Sequence, residues 1–92
     1  VLNSDVPVLV DMFATWCGPC QMMGPVVEEI ASQYSKTAKV GKLDIDQDSE
    51  IAARYSVMSV PTFLVFKDGE VKGKVIGAVP KEELERLIDQ AK

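Results

Sequence analysis

Histidine is absent from the 92 residues, and only two cysteines are present. The missing histidine excludes Cys–His and Ser–His–Asp nucleophile arrangements within this chain. Two cysteines without histidine cannot supply the four ligands of a structural zinc site. A secreted domain of this size usually carries several disulfides. The single close pair, Cys17 and Cys20, therefore indicates a reducing compartment and a redox role.

Positive charge is scarce as well, since the chain has ten Lys and Arg residues and fourteen Asp and Glu residues, which gives a net charge of −4. The basic residues are scattered, which argues against a nucleic-acid partner. No apolar run approaches the roughly 20 residues of a membrane span. Residues 1–5 lack the basic end and the long apolar region of a signal peptide. We therefore expect a cytoplasmic protein that binds neither membranes nor nucleic acid.

The remaining composition is typical of one small folded domain covering 1–92. Apolar residues make up 47% and charged residues 26% of the chain, which argues against disorder. A domain this small buries only about 60–65% of the surface of its unfolded chain, so we expect modest stability.

Hydrophobic periodicity predicts seven elements in the order β-α-β-α-β-β-α, an α/β fold with a central mixed sheet flanked by helices. The first strand is almost wholly apolar, as expected for a central strand covered on both faces. The first strand–helix–strand unit implies a parallel pair with a right-handed crossover. Strands are predicted at 8–13, 38–45, 62–66 and 70–76, and helices at 17–34, 49–54 and 80–91.

Helical spacing also predicts which side chains are buried. Met22 and Met23 are predicted to belong to the core of the first helix rather than to a soft-metal site. Ile51 and Ala52 are predicted to face inward from the short second helix. The stretch 44–48 is similar to the start of a calcium loop, but the required glycine is Ser49 and the closing glutamate is Tyr55. No metal site is therefore predicted.

The two thiols lie at the junction between the first strand and the first helix. Helical spacing brings Cys17 and Cys20 onto neighbouring positions, within reach of disulfide geometry. Cys17 lies at the helix N-terminus, where free N–H groups and the helix dipole favour a thiolate. Cys20 lies one turn further in and is predicted to be less exposed, so Cys17 should attack and Cys20 should resolve. Two inert buried thiols, or half of a metal site, are the alternatives.

The motif Trp16-Cys17-Gly18-Pro19-Cys20 resembles the active-site motif of the thioredoxin family residue for residue. The resemblance extends over nearly the whole chain, through PVLVDMFATWCGPC, PVVEEIA, KLDIDQD, VPTFLVFKDGE and VIGA. It implies a thioredoxin-like fold and the reduction of protein disulfides through a mixed disulfide on Cys17 that Cys20 displaces. It also implies no bound cofactor, with reducing equivalents that come from NADPH through thioredoxin reductase.

Asp11 is an acid in the middle of an apolar strand. Burial of an unpaired carboxylate is costly, so its pKa should rise. The family resemblance assigns this position a proton-transfer role toward the buried cysteine, and Lys42 matches the lysine that interacts with it. A structural hydrogen bond, or a carboxylate that reaches solvent, is the alternative.

A second group of residues is assigned to substrate contact by the resemblance. The Val60–Pro61 bond is expected to be cis and to face the cysteines, where the backbone of Val60 could pair with an extended peptide. An ordinary strand-opening proline is the alternative. Ile45 and Ile76 carry less weight, because such residues more often belong to the core. The expected ring around the site comprises Trp16, Gly18, Pro19, Ile45, Val60, Pro61, Ile76, Gly77 and Ala78.

Three features depart from the family pattern. Phe13 stands where many members have tryptophan, and Gln21 stands where Lys or Arg is usual, which makes the local field less positive. The strand and helix that normally precede the segment beginning at Val6 are missing, which suggests a shortened form. We therefore expect the 38–45 strand to be a bare edge, with weaker stability and a tendency to dimerise.

Other functions remain open at this point. An oxidase or isomerase of an oxidising compartment would use the same cysteines, although such family members usually have a histidine between them in place of Gly18-Pro19. A binding module that uses the fold as a scaffold would not need the thiols. A folded but inactive fragment is the fourth alternative.

Overall fold

The computed structural model describes residues 5–55, 57 and 59–91. All seven predicted elements are present in the predicted order, with ends that differ from the prediction by no more than one residue. The strands are β1 (Val8–Phe13), β2 (Lys39–Asp44), β3 (Thr62–Lys67) and β4 (Glu70–Ile76), and the helices are α1 (Gly18–Gln33), α2 (Ser49–Arg54) and α3 (Lys81–Ala91).

The four strands form one mixed sheet in the order β2-β1-β3-β4. β1 pairs in parallel with β2, from Val8 opposite Lys39 to Phe13 opposite Asp44, which confirms the predicted parallel unit. β3 runs antiparallel to both β1 and β4. Within the described part of the chain β2 has one neighbour only and lies at an edge of the sheet.

The core lies on both faces of β1 and β3, because successive side chains of a strand point to opposite faces. One face packs against α1 and α3. Its fully buried members include Leu9, Val27, Phe63, Leu84 and Ile88. The other face carries a smaller cluster, which comprises Val8, Val10, Met12, Leu64 and Phe66.

Two predictions of burial were wrong. Met22 is 75% exposed, whereas Met23 is buried. The buried stripe of α1 advances by three or four residues through Cys20, Met23, Val27 and Ile30, so Met22 falls outside it. Ile51 is 37% exposed, because α2 has only six residues and buries Ala52 alone.

The residues at the turns have the backbone angles that those turns require. Asp68 and Gly69 have φ angles of 54° and 80°, as the tight hairpin between β3 and β4 requires. Gly77, just after β4, has a φ of 97°. Across the described residues, no helix has both the length and the apolar character needed to cross a membrane.

Candidate active site

Cys17 and Cys20 form a disulfide at the start of α1, with Cα atoms 5.3 Å apart. Cys17 is the N-cap residue of the helix, with an extended backbone, and its Sγ accepts the backbone N–H of Cys20 at 3.1 Å. The Cys17 N–H in turn donates to the carbonyl of Ala14 at 3.1 Å, which closes the turn that leaves β1. Pro19 fits the first helical turn, since its missing N–H would have no partner there.

The predicted difference in exposure between the two cysteines was wrong. Cys17 is 4% exposed and Cys20 is 6% exposed. Both pack with Ala14 under the half-buried side chains of Phe13, Ile45 and Val60, and the disulfide holds the two sulfur atoms together. Exposure in the disulfide form therefore does not distinguish the two thiols, which differ in that Cys17 alone is the N-cap of the helix.

Asp11 lies in the middle of β1 and lines the same cavity as Cys20. It is 3% exposed, and its Oδ1 is buried without a hydrogen-bond partner among the described residues. Desolvation raises the pKa of Asp11 to about 6, against the opposing attraction of the Lys42 ammonium, which lies on β2 directly across the register. The upward direction agrees with the sequence prediction.

A cavity of about 310 Å³ joins these groups to solvent. Both Asp11 and Cys20 border it, so the carboxyl and the second sulfur share one small space. A cavity of this size has room for water, which needs polar partners of the kind that an unpaired carboxylate offers. The lining residues are Asp11, Phe13, Ala14, Thr15, Cys20, Gln21, Gly24 and Lys42.

The Val60–Pro61 peptide bond is cis, as predicted. Val60 packs against the two cysteines, and the Pro61 carbonyl accepts the N–H of Gly77 at 2.8 Å. This contact brings the segment after β4 beside the loop that precedes β3. The structure therefore joins Val60, Pro61 and Gly77 to the disulfide through consecutive contacts.

The remaining residues of the expected ring differ in burial. Trp16 is 69% exposed and Ile76 is 56% exposed, so the core interpretation of Ile76 was wrong. Ile76 lies at the end of the edge strand β4, which has a neighbouring strand on one side only within the described chain. Ile45 is half-buried against both the disulfide cluster and the sheet. The residues Gly18, Pro19 and Ala78 are exposed.

Two polar residues near the site received no role from the sequence. Asp46 Oδ2 accepts the indole N–H of Trp16 at 2.8 Å, and Gln21 Nε2 donates to the Thr15 carbonyl at 3.2 Å. Asp46 lies 30 positions from Trp16 along the chain, so no local pattern joins them. The only sign of Gln21 in the sequence was that it replaces the basic residue that is usual at this position.

The acidic stretch after β2 is engaged in local structure. The N–H of Asp46 donates to Oδ1 of Asp44 at 2.9 Å, and the Asp44 carbonyl accepts the N–H groups of Gln47 and Asp48. Over residues 5–55, 57 and 59–91, no cluster of three or more His, Cys, Asp or Glu could hold a metal ion.

Comparison with known proteins gives consistent matches. The thioredoxin family model matches residues 1–90. Thioredoxin 1 of Synechococcus elongatus is 50% identical over 90 residues, which cover 98% of this chain and 84% of that protein. The thioredoxin of Staphylococcus epidermidis is 54% identical over 82 residues, which cover 89% of this chain and 79% of that protein.

Solved structures agree with the sequence matches. An N21Q mutant thioredoxin from Halobacterium salinarum superposes with a TM-score of 0.87 at 43% identity, over 97% of this chain and 76% of the other. A structure described for the thiol resolving mechanism of a yeast mitochondrial 1-Cys peroxiredoxin through glutathione and thioredoxin systems gives a TM-score of 0.87 at 35% identity. That match covers 96% of this chain and 81% of the other.

The thioredoxin-like fold, the Cys17–Cys20 disulfide at the start of α1 and identities near 50% over most of the chain lead to one conclusion. Members of the family exchange a close pair of cysteines between dithiol and disulfide, generally without a bound cofactor. This chain belongs to the thioredoxin family and is a thiol–disulfide oxidoreductase that reduces protein disulfides through Cys17 and Cys20.

Proposed function

We propose that Cys17 is the nucleophile and Cys20 the resolving thiol. The Cys17 thiolate attacks one sulfur of a substrate disulfide, so that the substrate S–S bond breaks and a mixed disulfide forms. The Cys20 thiolate then attacks Cys17 Sγ, which forms the Cys17–Cys20 disulfide and releases the second substrate sulfur as a thiolate. Two electrons pass to the substrate, whose two thiolates take up protons.

One observation carries this assignment of roles. Cys17 is the N-cap of α1, and its Sγ already accepts the Cys20 N–H at 3.1 Å. In the dithiol form the same N–H and the positive end of the helix dipole stabilise a thiolate at Cys17. The Cys20 sulfur lies one turn inside the helix, beside the cavity that contains Asp11, and has the weaker electrostatic stabilisation of the two.

Asp11 is proposed to accept the Cys20 proton, through a water in the shared cavity. A carboxyl with a pKa of about 6 is largely ionised at neutral pH and still a better proton acceptor than an exposed aspartate. Lys42 tunes this group, because its ammonium favours the ionised carboxylate and partly offsets the desolvation that burial imposes. Both residues line the same cavity as Cys20.

Substrate segments are proposed to bind over the disulfide. The exposed indole of Trp16 and the backbone at Val60 offer an apolar contact and a hydrogen-bonding edge for an extended peptide. Such contacts do not depend on a particular substrate sequence. The full proposed surface comprises Trp16, Gly18, Pro19, Val60, Pro61, Gly77 and Ala78.

The dithiol is proposed to be regenerated in the cytoplasm by thioredoxin reductase, with NADPH as the source of electrons. Reduction of insulin with NADPH and thioredoxin reductase tests this cycle directly, and NADPH should be consumed in step with insulin thiol formation. Absence of turnover with the intact protein would contradict it. A reduction potential near that of disulfide isomerases would instead favour the oxidase or isomerase alternative.

Trapping the intermediate tests the order of the two cysteines. Cys20→Ser should accumulate a mixed disulfide between Cys17 and a substrate protein, whereas the matched Cys17→Ser variant should trap none. The reverse pattern would exchange the two roles. If partner proteins still bind tightly to Cys17→Ser without redox exchange, the scaffold alternative gains support.

Two copies are also proposed to associate through the edge strand β2. Support comes from its single neighbour in the sheet, since an edge strand presents unpaired backbone groups to another chain. Lys39 and Lys42 are exposed on this strand and weaken the association by charge repulsion. Sedimentation should detect a dimer whose fraction grows with concentration, and a monomer at all concentrations would refute it.

A further inference from the structure

Gln21 connects the first turn of α1 back to the turn that precedes the disulfide. Its side-chain amide donates to the Thr15 carbonyl at 3.2 Å, while its backbone N–H donates to the Cys17 carbonyl at 3.3 Å. The Cys17 N–H in turn donates to Ala14. Gln21 therefore bonds to both sides of the short loop that leads from β1 into the helix.

This side-chain bond joins two residues that line the Asp11 cavity. Thr15 and Gln21 both line the cavity and both are exposed, whereas Asp11 and Cys20 line it and are buried. The two exposed residues are thus on the solvent side of the space that the two buried residues share. The bond between them joins two of the three exposed residues that border this space, the third being Lys42.

We propose that Gln21 is a positioning residue that holds the cavity mouth narrow through its bond to Thr15, and thereby limits the hydration of Asp11. The proposal deepens the proton-transfer role given above to Asp11 and rests on it for any effect on turnover. Gln21 touches no reacting atom and acts through the loop alone. Its amide also performs this role without adding charge to the cavity.

The electrostatic surroundings of the Asp11 carboxyl comprise the groups that face it from the neighbouring elements. Lys42 faces it from β2, and Cys20 faces it from α1. From β3 the residue in register is Phe63, which carries no charge. Replacement of Gln21 by methionine keeps these groups and the net charge, removes the donor and retains a side chain of similar length.

The first test is an NMR titration of the Asp11 carboxyl carbon in the oxidised protein. Gln21→Met should lower the pKa of Asp11 from about 6 toward the ordinary value of about 3.9, because a wider mouth admits water that solvates the carboxylate. Gln33→Met is the matched control. It removes an exposed amide donor, bonded to Glu85 at 2.6 Å, from the far end of the same helix.

The second test measures hydrogen exchange at the Cys17 amide, which reports opening of the loop. Loss of one hydrogen bond should accelerate this exchange about five-fold in Gln21→Met, with no change in Gln33→Met. An unchanged Asp11 titration with unchanged exchange overturns the proposal. Accelerated exchange without a change in the titration overturns it too, because the loop would then open without hydrating Asp11.

Turnover distinguishes this proposal from the function on which it rests. In single-turnover reduction of a model disulfide, Gln21→Met should move the pH midpoint of the resolution rate to lower pH. This is the direction in which the same substitution should move the Asp11 pKa. If Asp11→Asn leaves the resolution rate unchanged while Gln21→Met still lowers the Asp11 pKa, the proton-transfer role fails. The positioning of the loop by Gln21 then stands by itself.

Discussion

Replacement of the buried Asp11 by asparagine should stabilise the oxidised protein at neutral pH. The wild-type carboxylate is 3% exposed in the central strand, and its Oδ1 has no hydrogen-bond partner among the described residues. Folding therefore removes a charge from water, and Lys42 offsets only part of that cost. The neutral amide of asparagine has nearly the same shape and avoids the charge.

The size and pH dependence of the effect follow from the pKa. The Asp11 pKa is about 6 in the folded protein and about 3.9 in the unfolded chain. Each unit of difference corresponds to about 1.4 kcal/mol, so ionisation of Asp11 costs about 3 kcal/mol of folding free energy. Between pH 4 and 6 the folded state alone retains the proton, and wild-type stability falls as pH rises through this window. The loss of stability is complete by about pH 7, one unit above the folded pKa.

Guanidinium unfolding at a series of pH values from 4 to 8 measures this contribution. The difference in unfolding free energy between Asp11→Asn and wild type should grow by about 2.5 kcal/mol from pH 4 to pH 8 and level off above about pH 7. Asp68→Asn is the control, since it removes a carboxylate from the exposed hairpin turn. A difference that stays constant with pH would refute the assignment of a desolvated carboxylate at Asp11.

Three further substitutions test the scaffold around the site. Gly77→Ala should destabilise the fold by more than about 1 kcal/mol in thermal unfolding, because Gly77 has a φ of 97°. The control Gly41→Ala places its methyl group in open space and should not destabilise the fold to this extent. Leu9→Ala should cost about 2–5 kcal/mol by chemical denaturation, since this side chain is fully buried in the larger core cluster. Asp46→Ala should shift the emission of Trp16, the only tryptophan, while stability changes by no more than about 1 kcal/mol.

The sequence determined the order and type of all seven elements. Its strongest signals were local: the apolar run of β1 and the helical spacing after Cys20. Burial was harder to predict. Met22 and Ile76 are apolar yet exposed, because the phase of a helix and the edge of a sheet decide exposure. An apolar residue outside the buried stripe carries no local sign of its exposure.

For the site, local spacing was sufficient to pair Cys17 with Cys20 and to identify Asp11 as an acid in an apolar strand. The cis isomer at Pro61 came from the family resemblance, since X–Pro bonds are cis in only about 5–6% of cases and the residues alone do not fix the isomer. Exposure did not separate the two cysteines as predicted, since the disulfide holds both in one buried cluster.

The meeting of distant groups depends on tertiary packing. The chain alone specifies each residue's local conformational preference, its charge and its place in a hydrophobic pattern. The bond between Trp16 and Asp46, and the cavity shared by Asp11, Cys20 and Lys42, depend on the packing of β1 between β2 and β3 and on α1 lying across the sheet. These contacts join residues far apart in the chain, and no local preference encodes them.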